Sequence, residues 1–390
     1  MGANERSEVI SFLSKDYAVD HEKIKNAITK YEKNQQAFPD LTIATKPHYY
    51  DLLKSIGNLS NGVKFVCDFR ADLLQEIKSK SEDLLPLRRL DNTAKDLLTL
   101  WFCNSNLRLE RLTWKSPADI LQKVAQKEAV HPVHGLIDMQ RRVGPCRRCF
   151  VFMHESMPRE PLVIVHVALM DKIADNLQDI IKRVQISAED EEQANTAIYY
   201  SISSTQQGLS GIDLGNMLIK NVVLELQKET PQIHQHSTLS PIPGFRSWLI
   251  RVLKGHSEFG EVIDDKTIQL AQTETNITNS NDLKNLLLNE IESNNVPNFQ
   301  NLTLHLCAKY LHQAKNASGY ALNPVANFHL RNGAQMYRLN WGCDLSARGI
   351  QKSLGIMVNY KYNLEKVPTN SARYINGKYI DAHEQVINLL

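Results

Sequence analysis

Apolar residues recur at helical spacing throughout the first part of the chain. Such faces run through residues 9–13, 21–38, 49–59, 63–77 and 94–102. The alternation that marks a strand does not occur between them. Because amphipathic helices are stabilised by burying such faces against one another, residues 1–105 are predicted to form an all-helical bundle domain. Its sequence holds no clustered set of acidic and histidine side chains, so we interpret it as a packing or oligomerisation module.

The pattern changes near residue 106, where short segments rich in β-branched and aromatic residues begin. Strands are predicted at residues 107–114, 146–153, 161–170, 196–203, 325–330, 335–341 and 355–362. Helices are predicted at residues 117–126, 173–184, 212–226, 245–253, 302–312, 344–352 and 378–389. Residues 106–390 are therefore predicted to form a mixed α/β domain, and the whole chain an α+β protein. A polar, Asn-rich stretch at 254–300 is predicted to be an insertion.

A hairpin is predicted in the last third of the chain. The strands at residues 325–330 and 335–341 are joined by Arg331-Asn332-Gly333. Asn-Gly between apolar runs is a strong hairpin signal, because both residues accept the left-handed conformation that a tight turn needs. The prediction places His329 near the end of the first strand, beside the turn.

The organising segment of the second domain is residues 195–229, which predict a strand, a polar loop and a helix. The loop, residues 204–211, contains Gly208 and Gly211, and the helix is predicted to begin at Ile212. The first turn of a helix has unpaired backbone donors and a positive dipole end, and glycines let a ligand approach closely. This segment can therefore bind a phosphate, although the same pattern is found in ordinary strand-to-helix turns.

Ser240 stands at the end of a short predicted strand, in the sequence SPIPGF. Pro241 and Pro243 force a rigid turn into the helix at residues 245–253. A serine held in this way can be functional or can cap the helix, and the pattern alone favours neither interpretation.

Three other histidines, His131, His134 and His166, are interpreted as structural residues. His166 lies inside an apolar strand and is predicted to be a core histidine. His131 and His134 are spaced for a metal, but no third ligand is in view, so a surface or core pair is the better interpretation.

The composition is that of a soluble globular protein, with 42% hydrophobic residues and a formal net charge of +2. That charge gives no reason to expect nucleic acid as a partner. No apolar run approaches the roughly 18 residues of a membrane span. Six scattered cysteines with a single CxxC pair indicate reduced thiols and hence an intracellular, cytoplasmic protein, with the mitochondrial matrix or peroxisome as alternatives if terminal signals are missing.

Five stretches together resemble the malonyl-CoA decarboxylase family. In chain order they are VHPVHGLIDMQRRVGP, SSTQQGLSGIDLGN, LSPIPGF, GYALNPVANFHLRNGA and MVNYKY. The resemblance implies a helical N-terminal domain followed by a catalytic domain of the GNAT acetyltransferase fold. It further implies conversion of malonyl-CoA to acetyl-CoA and CO2 in fatty-acid metabolism, without a metal or organic cofactor, by a homotetramer.

The resemblance also assigns site residues to this chain. The catalytic pair falls on Ser240 and His329, and supporting polar residues fall on Ser201 and Tyr362. The loop that contacts CoA comprises Ser210, Gly211, Ile212, Asp213, Leu214, Gly215 and Asn216. We expect His329, with a pKa near neutrality, to be the general acid that protonates the enolate carbon or to activate the group that does. Ser240 is expected to hydrogen-bond His329 and to orient the malonyl carboxylate. A covalent acyl-serine is the less favoured alternative, since the sequence places no third triad member.

Two other functions remain open at this stage. An acyltransferase of the same fold would need a base for an ammonium group, yet the strands at residues 146–153, 161–170 and 196–203 contain no acid. A CoA-binding regulator without activity would keep the loop but would not need Ser240 and His329, and both are present.

Overall fold

The computed structural model describes residues 2–81, 84–102, 107–181, 188–212, 214, 218–256, 262–293 and 296–390. The first part is helical, as predicted. Its helices are α1 (Ala3–Lys15), α2 (His21–Lys33), α3 (Phe38–Ala44), α4 (His48–Gly57), α5 (Gly62–Ser79) and α6 (Leu84–Trp101). Helix α6 is longer than predicted, because Pro86 lies in its first turn, where a proline costs no hydrogen bond.

The second part is built on one mixed sheet of eight strands. They are β1 (Leu107–Leu112), β2 (Arg147–His154), β3 (Val163–Met170), β4 (Thr196–Ser204), β5 (Gln235–Thr238), β6 (Ser240–Pro241), β7 (Gln335–Asn340) and β8 (Met357–Tyr362). The strand order is β1-β2-β3-β4-β5-β8-β6, with β7 also paired to β8. Only β4 and β5 are parallel among the described pairs, and the others are antiparallel. The predicted mixed α/β architecture is confirmed.

Helices cover both faces of this sheet. They are α7 (Ala118–Lys127), α8 (Leu136–Arg142), α9 (Leu177–Ile181), α10 (Ala188–Gln193), α11 (Leu218–Glu229), α12 (Phe245–Leu253), α13 (Asp265–Thr275), α14 (Ser280–Glu292), α15 (Gln300–His312), α16 (Pro324–Arg331), α17 (Ala347–Ser353), α18 (Val367–Gly377) and α19 (Glu384–Ile387). Side chains of β2 alternate between two cores. Phe150 and Phe152 belong to the large core that also contains residues of α5 and α6, whereas Val151 packs with α7 and α8. The helical part and the sheet therefore share one continuous core.

Three predicted elements are wrong. Residues 325–330 are not a strand but part of α16, so the predicted hairpin does not form. The predicted helix at residues 378–389 is replaced by α18, which ends at Gly377, and the short α19. The predicted helix does not begin at Ile212, which is not helical; the described helix after β4 is Leu218–Glu229, and a 3₁₀ turn, Gln207–Leu209, precedes Ile212.

Candidate active site

The two central strands of the sheet separate near Ser240. Parallel pairing of β4 with β5 ends at Tyr199 and Thr238. Beyond that point β4 continues to Ser204, while the residues that follow β5 turn away and pair Ser240 with Val358 of β8. The edge of β4 beyond Tyr199 is therefore not paired with β5, and a cleft opens there.

His329 reaches this point from helix α16, whose local sequence explains why it is a helix. The Asn323 side chain accepts a hydrogen bond from the backbone of Ala326, so Asn323 is the N-cap, and Pro324 occupies the first turn. Gly333, with φ of +78°, follows the end of the helix in the left-handed conformation. The Asn-Gly pair that suggested a hairpin instead ends a helix.

Asn323 also joins the two halves of the site. Its Nδ2 donates to the carbonyl oxygen of Pro243 at 2.8 Å, in the turn that follows Ser240. The Tyr310 hydroxyl donates to the same oxygen at 3.0 Å. One side chain thus caps the helix that carries His329 and fixes the turn that carries Ser240.

Ser240, His329 and Tyr362, to which the resemblance assigns the catalytic pair and a supporting residue, lie in one chain of hydrogen bonds. Ser240 Oγ lies 3.2 Å from His329 Nε2, and the Tyr362 hydroxyl lies 2.8 Å from His329 Nδ1. Ser240 Oγ donates its only proton to Thr238 Oγ1 at 2.8 Å. Thr238, which no sequence pattern singled out, is therefore a further member of the site.

The direction of this chain assigns the tautomer of His329. Because the Ser240 proton is directed to Thr238, the serine oxygen can only accept from His329, which places the imidazole proton on Nε2. Nδ1 is then an acceptor for the Tyr362 hydroxyl. In this arrangement His329 cannot take the Ser240 proton, so the serine is not activated as a nucleophile.

His329 is uncharged in this setting. The side chain is 3% exposed, and burial lowers its pKa to about 3. The expectation of a pKa near neutrality is therefore wrong, because the ring of Tyr360 stacks on the imidazole at 4.6 Å and no carboxylate approaches it among the described residues. Burial likewise raises the pKa of Tyr362 well above its usual value, so this hydroxyl stays protonated and can donate.

An apolar cleft of 330 Å³ leads to His329. It is lined by Val163, Ile202, Ser204, Leu209, Ile212, Leu214, Leu218, Pro324, Val325, Phe328 and His329. Ile212 and Leu214 come from the loop predicted to contact CoA, so the loop and His329 share one cavity. Ser240 is 5% exposed and is adjacent to this cavity through its contact with His329.

The remaining loop residues divide into two groups. Ser210 and Gly211 directly precede Ile212 in the chain and are described, and Gly211 adopts a left-handed φ of +74°. Asp213, Gly215 and Asn216 lie outside the described residues.

Ser201, which the resemblance names as a supporting residue, hydrogen-bonds to a buried carboxylate. Its Oγ donates to Glu128 Oε1 at 2.7 Å, and Ser203 Oγ donates to the same oxygen at 3.0 Å. His166 Nε2 lies 3.3 Å from Glu128 Oε2. Ser201 is thus a ligand of a buried carboxylate that sequence reasoning missed, since Glu128 follows α7 in an unremarkable polar stretch.

Glu128 is held as a permanent anion. Burial alone would raise its pKa, but the contact with His166 and the Ser201 hydroxyl outweigh burial, and the pKa lies well below its usual range. Its oxygen Oε1 also accepts from the backbone of Val130 and His131. A carboxylate whose pKa is lowered this far is a poor base, so Glu128 is not suited to be the base that an acyltransferase would need.

No group of three His, Cys, Asp or Glu side chains suited to a metal occurs in the described part of the chain. His131 is buried and His134 is exposed, so they do not form a shared site. Cys67, Cys149, Cys307 and Cys343 are buried free thiols, and Cys146 is also buried. Among the described helices, none has the length and apolar character of a membrane span.

Comparison with known proteins identifies the family. Residues 17–102 match the Malonyl-CoA decarboxylase N-terminal domain, and residues 105–390 match the Malonyl-CoA decarboxylase C-terminal domain. The mitochondrial malonyl-CoA decarboxylase of Anser anser anser is 42% identical over 402 residues, covering 99% of this chain and 80% of that protein. The mitochondrial enzyme of Mus musculus is 42% identical over 406 residues, covering 100% of this chain and 82% of that protein.

Solved structures agree with these matches. The crystal structure of malonyl-CoA decarboxylase from Rhodopseudomonas palustris has a TM-score of 0.85 and 31% identity, covering 100% of this chain and 91% of that one. The enzyme from Agrobacterium vitis has a TM-score of 0.81 and 31% identity, with the same coverage. Because the matches span both the helical part and the sheet, the chain belongs to the malonyl-CoA decarboxylase family.

Proposed function

We propose that this protein converts malonyl-CoA to acetyl-CoA and CO2 at the site formed by Ser240, His329 and Tyr362. The observation that carries the proposal is the uncharged hydrogen-bond chain at the end of an apolar cleft. The names of the relatives in Anser anser anser and Mus musculus support the same substrate.

The reaction breaks the bond between the malonyl carboxylate and the α-carbon. The electron pair of that bond moves onto the thioester oxygen, which gives CO2 and an enolate of acetyl-CoA. Backbone N–H groups of the open edge of β4 are suited to hydrogen-bond this oxygen, and each such donor is typically worth about 3–4 kcal/mol. The thioester itself accepts the electrons, so the chemistry requires no further cofactor.

A proton must then reach the enolate carbon. We assign its delivery to the Ser240 hydroxyl, which rotates from Thr238 toward the substrate and regains a proton from Nε2 of His329. As Nε2 releases its proton, Nδ1 takes the proton of the Tyr362 hydroxyl, so that the imidazole stays neutral and the negative charge moves to the tyrosine oxygen. Solvent then returns a proton to that oxygen. The enolate carbon is a strong base, so an uncharged hydroxyl–imidazole pair can protonate it.

The neutral state of the imidazole also favours the first step. An imidazolium would stabilise the malonyl carboxylate before it leaves, which would raise the barrier to CO2 loss. A buried, uncharged His329 orients the substrate without holding the carboxylate strongly. Burial of this histidine is therefore a functional property of the site.

This assignment predicts an unusual pH profile. With a pKa of about 3, His329 stays neutral in the free enzyme at all higher pH values, and about 1% of it is protonated at pH 5. We expect kcat/KM for malonyl-pantetheine, which has no titrating phosphate, to be flat from about pH 5 to 9 and to fall only below about pH 4, as the imidazolium forms. A fall through pH 6.5 on acidification would contradict the assignment.

The proposal includes independence from metals and organic cofactors. We predict that protein dialysed against EDTA and then desalted forms acetyl-CoA and CO2 from malonyl-CoA in equal amounts, at the rate of untreated protein. Loss of turnover on dialysis, restored by a metal, would overturn this part. Binding of CoA without product would favour a regulator, and acyl transfer to an added amine would favour an acyltransferase.

We also infer that the protein acts in fatty-acid metabolism within the cell and that it forms a homotetramer. Both curated relatives are mitochondrial proteins, which favours the mitochondrial matrix as the compartment. The helical part exposes the large apolar side chains of Ile43, Leu59 and Leu100, which supports contacts between copies through this part. Light scattering of the purified chain would test the tetramer.

A further inference from the structure

The helical part of the chain hydrogen-bonds to, and packs closely against, the loop that we propose contacts CoA. Arg70 of α5 donates from Nη1 to the carbonyl oxygens of Gly208 at 2.6 Å and Ser210 at 2.9 Å. Gly208 lies so close to α5 that an added Cβ would stand 1.8 Å from the carbonyl oxygen of Cys67. The loop is thus fixed by a residue from the other part of the chain.

This contact fixes the direction of the loop's backbone groups, because two of its carbonyl oxygens face Arg70. A trans peptide points its C=O and N–H in opposite directions. Because the carbonyl of Ser210 faces Arg70, the amide of Gly211 in the same peptide points to the other side. Among the described residues this amide has no hydrogen-bond partner, so it is a donor available to a ligand.

A lysine of the helical part stands at the same point. A methyl group built on Gly211 would lie 3.6 Å from Nζ of Lys95, which is on α6. The side chain is half-buried. Gly211 has a left-handed φ of +74°, a conformation that glycine adopts without strain.

Lys95 has no carboxylate partner in the described part of the chain. Asp91, four residues earlier on the same helix, has the spacing at which a carboxylate and a lysine commonly form an ion pair. Asp91 Oδ1 instead accepts from Nε of Arg70 at 2.7 Å. Arg70, which is 2% exposed, therefore does two things: it fixes the loop and it engages the acid that would otherwise neutralise Lys95.

We propose that Lys95 binds a phosphate group of the CoA substrate, together with the backbone amide of Gly211. An unpaired ammonium next to an available amide is suited to a phosphate oxygen, since both donate charge-assisted hydrogen bonds. The helical part then completes the substrate site. This inference rests on the proposed function for the identity of the ligand, and it assigns Lys95 to substrate binding and not to proton transfer.

The test compares CoA with pantetheine, which lacks the phosphates. Calorimetry on the full chain would measure both dissociation constants for wild type, Lys95→Ala, Lys95→Arg and Lys95→Glu. We expect Lys95→Ala to weaken CoA binding about tenfold, Lys95→Glu to weaken it more, and Lys95→Arg to stay within about threefold of wild type. Pantetheine binding should not change in any of them.

Steady-state kinetics gives a second, independent measurement. Lys95→Ala should raise KM for malonyl-CoA about tenfold and leave kcat within about twofold of wild type. Lys54→Ala, which removes an exposed lysine in the last turn of α4, is the matched control and should change neither constant. Melting temperatures within a few degrees of wild type would show that the variants fold.

The outcomes separate this inference from the proposed function. Equal CoA affinity in wild type and Lys95→Ala would overturn the role of Lys95, as would an equal loss of pantetheine binding. If wild type bound CoA but did not decarboxylate malonyl-CoA, the proposed function would fail, while the calorimetric comparison would still decide whether Lys95 binds the phosphate.

Discussion

Replacing His329 by Asn is expected to lower kcat for malonyl-CoA about 100-fold or more, equivalent to about 2.7 kcal/mol of transition-state stabilisation. Asn can approximate one imidazole nitrogen but cannot pass a proton between Tyr362 and Ser240. The CoA dissociation constant should change less than about threefold, because the loop and Lys95 are untouched. Steady-state kinetics and calorimetry on the same preparation would measure both quantities.

The control for this variant is another buried histidine. His305 of α15 is fully buried and contacts Thr267 Oγ1 at 3.0 Å, outside the hydrogen-bond chain of the site. His305→Asn should lower the melting temperature but leave kcat unchanged in the folded protein. Collapse of CoA binding in His329→Asn would show that His329 is structural and would contradict the assignment.

Replacing Ser240 by Ala is expected to lower kcat by a similar factor, about 100-fold. The substitution removes the hydroxyl that faces the substrate and leaves His329 Nε2 and Thr238 Oγ1 without their partner. The methyl group of alanine fits the space, so the fold should remain intact. Kinetics of Ser240→Ala would be compared with Ser237→Ala, a buried serine of β5 whose hydroxyl bonds only to backbone carbonyls.

Ser240→Cys distinguishes proton transfer from covalent catalysis. If Ser240 were a nucleophile, a thiol in its place would form a stable acyl-enzyme, visible in the intact-protein mass after mixing with malonyl-CoA. We expect no adduct, since Nε2 of His329 already carries a proton and cannot activate the attacking group. An acyl adduct formed at the pace of turnover would contradict the proton-transfer role.

Local patterns predict those elements whose signals agree. The turn Pro241-Ile242-Pro243-Gly244 leaves the chain no alternative to a break, and the helix after it has the predicted bounds, Phe245–Leu253. The prediction of a strand at residues 325–330 was wrong because this short apolar run fits the periodicity of a strand and that of a helix equally well. The decisive evidence for a helix is the Asn323 cap and the proline beside it, and this evidence competed with a hairpin signal at Asn332-Gly333.

Contacts between distant parts of the sequence could not be predicted from local pattern. Glu128 reaches Ser201 only because α7 packs against the sheet, and Arg70 reaches Gly208 only because the helical part shares its core with the sheet. The uncharged state of His329 likewise follows from burial under Tyr360, which no spacing of residues reveals. The resemblance identified Ser240 and His329 as the pair, whereas the uncharged state of His329 follows from its burial in the structure.

In the proposed mechanism, Ser240 and His329 act as one unit in decarboxylation. The most direct measurement is single-turnover release of CO2 from malonyl-CoA by wild type, Ser240→Ala, His329→Asn and the double variant. If the two residues form one proton-transfer chain, the double variant should be within about threefold of the slower single variant, because either change already breaks the chain. Losses that multiply in the double variant would show independent contributions and would contradict the account.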